Sequence, residues 1–276
     1  MSSAFRKALL AAALLCAAPA AARELRVCAD PNNLPFSNQA GEGFENRIVA
    51  ILARDLGAEV AYTWWAQRRG FVRNTLRAGL CDLVPGIFAG SDVVRKTRPY
   101  YRSTYVWVSR AADGLRPESL DDPLLRRLRI GVQLVGDDAS ATPPTNALVR
   151  RGIVDNLRGY SLYADYAQPN PPARIVDAVA SGEVDIAAIW GPLAGYFATR
   201  GAVPLALAPV LPQADGPRLP MVFDIGMAVR KEDTELAREI DSALLRNRAA
   251  IDAVLEEYGV PRLDGPTARR AEASVR

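Results

Sequence analysis

Histidine is absent from the 276-residue sequence. With it go the commonest general base, the commonest metal ligand and the partner that activates a serine or cysteine nucleophile. No pair of acidic residues stands out as spaced for acid–base work. The adjacent Asp137 and Asp138 fall in a loop pattern, where neighbouring carboxylates are ordinarily solvated. Once an N-terminal stretch is set aside, the cysteines are Cys28 and Cys81, too few for a zinc site. These residue types argue against an enzyme, a bound metal or another cofactor, and for a protein whose work is binding.

Groups suited to binding are present. Asp30, Asn32 and Asn33 lie in Asp30-Pro31-Asn32-Asn33-Leu34-Pro35. Such a run forms a turn for its own reasons, and it also sets three polar side chains at the end of a strand. Arg68, Arg69 and Arg73 open a helical pattern. They read either as a solvated face or as an anion-facing edge, with Arg69 the foremost candidate. Trp64 and Trp65 are adjacent on a strand pattern, so their indoles point to opposite faces. One belongs in a core; the other, taken as Trp65, lines a cleft or a protein contact, as tryptophan often does. Trp107 reads as structural.

The elements that must hold these groups follow a regular grammar. Residues 25–29 form a short strand. Residues 43–57 form a helix with Phe44, Ile48, Ile51, Leu52 and Leu56 on one face. Residues 59–65 alternate as a second strand, 70–79 form a second helix, and 81–86 a third strand. That β-α-β-α-β order specifies a parallel sheet with helical crossovers. Cys28 closes the first strand and Cys81 opens the third. Neighbouring strands lie about 5 Å apart, within reach of a disulfide; two buried free thiols are the alternative.

Residues 100–110 are strongly β-prone, and 117–123 make a polar linker. The grammar then restarts. Strands at 128–133 and 184–190 bracket helices at 145–152 and 173–182, and a short helix follows at 193–200. A strand at 223–230 and a long amphipathic helix at 234–258 complete the ordered chain. Residues 23–109 with a returning 223–262 thus make one lobe and 110–222 the other. The crossings near 105–110 and 221–229 form a two-segment hinge, and 263–276 is a flexible tail. Ligands in open α/β folds bind beyond the strand carboxyl ends, often between domains.

Composition fits an exported globular protein. The formal charge of +3 is too mild and too scattered for nucleic acid. Arg6 and Lys7, an apolar run over 8–18 and the exit Ala20-Ala21-Ala22 make residues 1–22 a cleavable signal peptide. A lipid anchor at Cys16 would want a small residue where Leu15 stands. No later segment is long and apolar enough to cross a membrane, and an oxidising compartment suits the cysteine bridge.

The order of motifs resembles the periplasmic solute-binding proteins of family 3, which receive polar amino acids for ABC transporters. The resemblance covers about residues 25–260. It is carried by Leu25-Arg26-Val27 with Pro35-Phe36, by Gly43-Phe44, by Leu76-x-x-Gly79-x-x-Asp82 and by Arg98-Pro99-Tyr100-Tyr101. Ser119-Leu120-Asp121-Asp122 ahead of Arg129-Ile130-Gly131-Val132-Gln133, and Ala180-x-Gly182-x-Val184-Asp185, complete it. It implies an α/β type II periplasmic-binding-protein fold, with two lobes, a two-segment hinge and an interlobe cleft. The positions that hold an amino acid in that family are changed here. Asn33 and Arg69 stand where rings are usual, and Gly136-Asp137-Asp138 replaces an anion loop. Trp190 replaces the acid that takes the ligand ammonium, and Arg95 is the nearest match to the carboxylate clamp.

Longer runs are similar to a narrower group, the MoxJ/XoxJ-type accessory proteins of quinoprotein methanol dehydrogenases. These runs are Val27-Cys28-Ala29-Asp30-Pro31-Asn32-Asn33-Leu34-Pro35-Phe36-Ser37, Tyr62-Thr63-Trp64-Trp65, Gln67-Arg68-Arg69-Gly70-Phe71-Val72, Thr97-Arg98-Pro99-Tyr100-Tyr101 and Trp190-Gly191-Pro192-Leu193-Ala194-Gly195-Tyr196. The likeness implies a periplasmic protein without a membrane anchor whose partner is a pyrroloquinoline-quinone-dependent alcohol dehydrogenase. The alternatives are a receptor that hands a small organic solute or anion to an ABC permease and, further off, a hydrolase or lyase built on the same lobes. The cleft residues expected are Asp30, Asn32, Asn33, Trp65, Arg69, Arg95, Asp137 and Trp190.

Overall fold

The computed structural model describes residues 23–88, 92–135, 140–161 and 166–264. The first part runs β1 (Arg23–Ala29), β2 (Asn32–Asn33), β3 (Ser37–Asn38), α1 (Phe44–Asp55), β4 (Ala58–Trp64), α2 (Phe71–Asn74), β5 (Val84–Phe88), β6 (Arg95–Lys96) and β7 (Tyr101–Arg110). It continues with β8 (Ile130–Val135), β9 (Ser140–Ala141), α3 (Pro143–Arg150), β10 (Leu157–Ser161), α4 (Arg174–Ser181), β11 (Ile186–Trp190), α5 (Gly191–Ala198) and β12 (Leu205–Pro209). The chain returns as β13 (Val222–Val229), α6 (Thr234–Arg246) and α7 (Arg248–Glu257).

Two sets of strands meet on β7. Its first residues, Tyr101 to Thr104, pair with β13. Its remainder pairs with β11 on one side and β12 on the other. β13 carries β5 on its far edge, and β11 carries β8 and then β10. β1 and β4 run parallel. Val27 bridges Leu83, and the Cys28 amide donates to the Leu83 carbonyl at 2.9 Å. That contact brings Cys28 and Cys81 to a Cα separation of 5.6 Å, and they are joined as a disulfide. The bridge expected from strand order is therefore present.

Each strand set has its own core. Leu25 and Val27 of β1 pack with Ile48 and Leu52 of α1, Ile240 of α6 and Ile251 and Leu255 of α7, all buried. Around the second set, Trp107 joins Ile130, Val132, Leu148 and Ile186, while Val106 and Val108 join Ile175, Val179 and Ile189. Successive residues of β7 thus feed opposite faces of the sheet, as strand geometry requires, and helices cover both sides. The α/β type II architecture follows from this pattern.

Three local readings of the sequence are corrected. The second helix is a single turn, Phe71–Asn74. Thr75 ends it, with its hydroxyl donating to the Phe71 carbonyl at 2.6 Å. The long C-terminal helix is two helices parted at Asn247, whose side-chain amide donates to the Ala243 carbonyl at 2.9 Å. Such local side-chain bonds compete with helix continuation. Strands β10 and β12 were not expected. β10 buries only Tyr160, and β12 buries no residue fully, so neither shows the alternation that marks a strand.

Candidate functional site

A cavity of about 420 Å³ lies where β5, β7 and β13 meet β8 and β11. The rings of Phe36, Tyr101, Tyr105, Trp190 and Phe223 line it, with Ile87, Val135, Leu193 and Ile225. Tyr105, Trp190 and Phe223 meet edge to face, with centroids 5.3, 5.8 and 6.3 Å apart, an arrangement aromatic quadrupoles favour. Among the described residues, the polar members of the lining side chains are Asn33, Glu45, Gln67 and Gln133, with no arginine or lysine.

Backbone geometry sets each of these groups. Trp190 ends β11, and its amide donates to Gln133 Oε1 at 2.7 Å. The chain turns at once into α5. There Gly191 is obligatory, because a Cβ would lie 2.5 Å from the Thr104 carbonyl oxygen. Gln133 is 1% exposed, and its Nε2 donor has no partner. Asn33 donates to Gln67 Oε1 at 3.2 Å. Glu45 sits in the first turn of α1, buried against the backbone of Gly86; a Cβ there would come 2.2 Å from Glu45 Oε1. Its nearest polar partner is the Tyr100 hydroxyl at 3.5 Å, the outer limit of a hydrogen bond. Burial pushes the Glu45 carboxyl up to about 8, and the weak Tyr100 contact opposes this only slightly. Glu45 is therefore largely neutral at pH 7.

The expected cleft residues divide into three groups. Asn33 and Trp190 line the cavity. Asp30 and Asn32 stand beside it and tie the turn after β1 to the segment ahead of α4. Asp30 accepts from the backbone amides of Asn32 at 2.8 Å and Gln67 at 2.7 Å, and from the Tyr166 hydroxyl at 2.6 Å. Asn32 Nδ2 donates to the carbonyls of Gln168 at 2.9 Å and Tyr166 at 3.3 Å. The Arg68 guanidinium lies 5.2 Å from the Tyr166 ring centroid, within cation–π range. These contacts bridge the two halves across the mouth of the cavity.

Trp65, Arg69 and Arg95 are not among the cavity lining. Trp65 is 42% exposed, and Arg69 lies exposed in the following loop. Arg95 is carried by β6, which pairs with the far end of β13. Its Nε donates outward, to the Lys231 carbonyl at 2.9 Å. The residue is thus engaged with the segment after β13 and is not part of the described lining. Asp137 lies outside the described residues. Glu45 and Gln133 were missed, although both break an apolar pattern. Glu45 stands at helical spacing with Ile48, Val49 and Leu52, and Gln133 interrupts a buried strand.

An α-amino acid needs a cation for its carboxylate and an acceptor for its ammonium. Among the described residues no cation lines this cavity, and the indole of Trp190 is part of its wall. Among the described residues, no group of three or more Cys, Asp or Glu side chains is placed to hold a metal ion. No helix there is long and apolar enough to cross a membrane.

No family model matches the chain. Protein MoxJ of Methylorubrum extorquens is 35% identical over 246 residues, which cover 86% of this chain and 81% of MoxJ. Among solved structures, the periplasmic binding protein XoxJ from Methylobacterium extorquens AM1 is 36% identical with a TM-score of 0.70, covering 87% of this chain and 99% of XoxJ. MxaJ from Methlophaga aminisulfidivorans MPT is 30% identical with a TM-score of 0.76, covering 87% of this chain and all of MxaJ, 100%. Likeness at this identity, across four fifths or more of each relative, places the chain in the MoxJ/XoxJ family of periplasmic binding-protein-like proteins.

Proposed function

We propose that the chain is a periplasmic accessory factor, exported by a cleaved signal peptide over residues 1–22. It acts on a pyrroloquinoline-quinone-dependent methanol or alcohol dehydrogenase by protein contact, and so aids that enzyme's maturation or activation rather than catalysing a reaction itself. The observation that carries this reading is the 35% identity to MoxJ sustained over 246 residues. The cavity supports it: a receptor for polar amino acids would need a cation for the ligand carboxylate, and the described lining holds none. Pull-down from a periplasmic extract with the tagged mature chain tests the proposal. Recovery of the dehydrogenase supports it; a clean pull-down without the enzyme counts against it.

One observation favours a second reading, a receptor handing a small organic solute to an ABC permease. Gln133 Nε2, buried in the cavity wall, has no partner among the described residues, and a buried donor left unpaired costs about 1–3 kcal/mol. A ligand would satisfy it. Thermal-shift screening separates this reading from a purely protein-directed role, because a ligand that binds the folded state raises the melting temperature.

A further inference from the structure

The cavity gathers groups of one electrostatic sign. Ring faces carry negative potential, and the rings of Tyr101, Tyr105, Trp190 and Phe223 belong to its wall. Glu45, a residue 6% exposed, adds a carboxyl, and among the described residues no Arg or Lys bonds to it. Gln133 adds one donor that nothing among the described residues accepts. An anion would meet no counter-charge there, and a purely apolar ligand would leave both polar groups unmatched.

We propose that this cavity binds a small organic ammonium ion bearing a hydroxyl or carbonyl oxygen, with the cation against the ring faces and Glu45 and the oxygen accepting from Gln133 Nε2. Tryptophan and tyrosine faces attract such cations, most strongly where water is excluded. The inference rests on the reading of the cavity as a ligand site and is independent of any dehydrogenase contact.

Binding is linked to a proton. Glu45 with its carboxyl raised to about 8 is mostly protonated before the cation arrives. The cation favours the ionised form, so one proton leaves Glu45 for solvent as the complex forms. The titratable groups that face Glu45 are tyrosines: Tyr62 from β4, Tyr100 just ahead of β7 and Tyr101 at its start. Burial raises all three phenols, so they stay neutral over the range tested.

Titration calorimetry with the mature chain decides the matter. The probes are choline and neohexanol, its uncharged carbon isostere, at about pH 6.5 and about pH 8.5. With Glu45 titrating at about 8, its ionised fraction, and with it the choline affinity, rises about 25-fold between these conditions. Neohexanol binds more weakly than choline at the higher pH and shows no such rise. Glu45→Gln removes the rise in choline affinity, and Trp190→Leu lowers that affinity at both conditions. Neohexanol binding as tightly as choline would keep the cavity as a ligand site but overturn the cation assignment. A choline affinity that ignores pH would also overturn it. Absence of binding by both probes would overturn the ligand site as well.

Discussion

Glu45 makes stability depend on pH in a range where little else in this protein does. Its carboxyl is raised from 4.5 to about 8 because burial disfavours the charged form. The folded state therefore holds this proton more tightly than the unfolded chain does. The associated stability is fully present below about 4.5 and is lost as pH rises through about 8. Over that interval, at 1.36 kcal/mol per pH unit, the loss is on the order of 5 kcal/mol. Histidine, which would otherwise titrate here, is absent, and Cys28 and Cys81 are joined. Asp177, also raised by burial, is common to wild type and variant and cancels between them. Glu45→Gln keeps the shape and removes the titration. Guanidinium denaturation at several pH values should show wild type and Glu45→Gln nearly equal at about pH 5. Above that, the variant should gain about 1.4 kcal/mol per pH unit relative to wild type, up to about pH 8. Parallel stability curves for the two proteins would refute a buried, unpaired carboxyl at this position.

Other consequences are as direct. Tyr166→Phe deletes the hydroxyl that bridges to Asp30 but leaves Asp30 its two backbone donors. Loss of a hydrogen bond to a charged group costs about 1.5–3 kcal/mol, so small-angle scattering should report a larger open fraction of lobes; an unchanged profile would deny this contact a role in closure. Replacing both disulfide cysteines, Cys28→Ala with Cys81→Ala, frees a loop spanning 53 residues and should lower unfolding free energy by about 4 kcal/mol on the chain-entropy account; a change under about 1 kcal/mol would contradict it. Gly86 has a φ of +72° and faces Glu45 Oε1, so Gly86→Ala should strain the backbone, displace the carboxyl and flatten the pH dependence described above.

The architecture was legible because hydrophobic periods switch cleanly along the chain. Residues 44–55 bury one helical face, and 101–110 alternate between two cores. The disulfide was legible because strand order set Cys28 beside the strand that Cys81 precedes. The cavity was legible only in part. Asn33 and Trp190 line the cavity, and both stand at strand ends, where ligand groups of open α/β folds gather. Arg95 stands on a short strand paired with β13, apart from the described lining, and no local pattern encodes that pairing. Asp30 and Asn32 were read as ligand groups, yet their side chains are engaged by Tyr166, Gln67 and Gln168. Those contacts span more than a hundred residues for Tyr166 and Gln168, a separation at which a single sequence carries no signal.

The accessory role is tested most directly by quinoprotein dehydrogenase activity in periplasmic extracts of a strain that lacks this chain. Low specific activity, restored by expressing the chain, is expected. Full activity in its absence, with cofactor loading intact, would contradict the account.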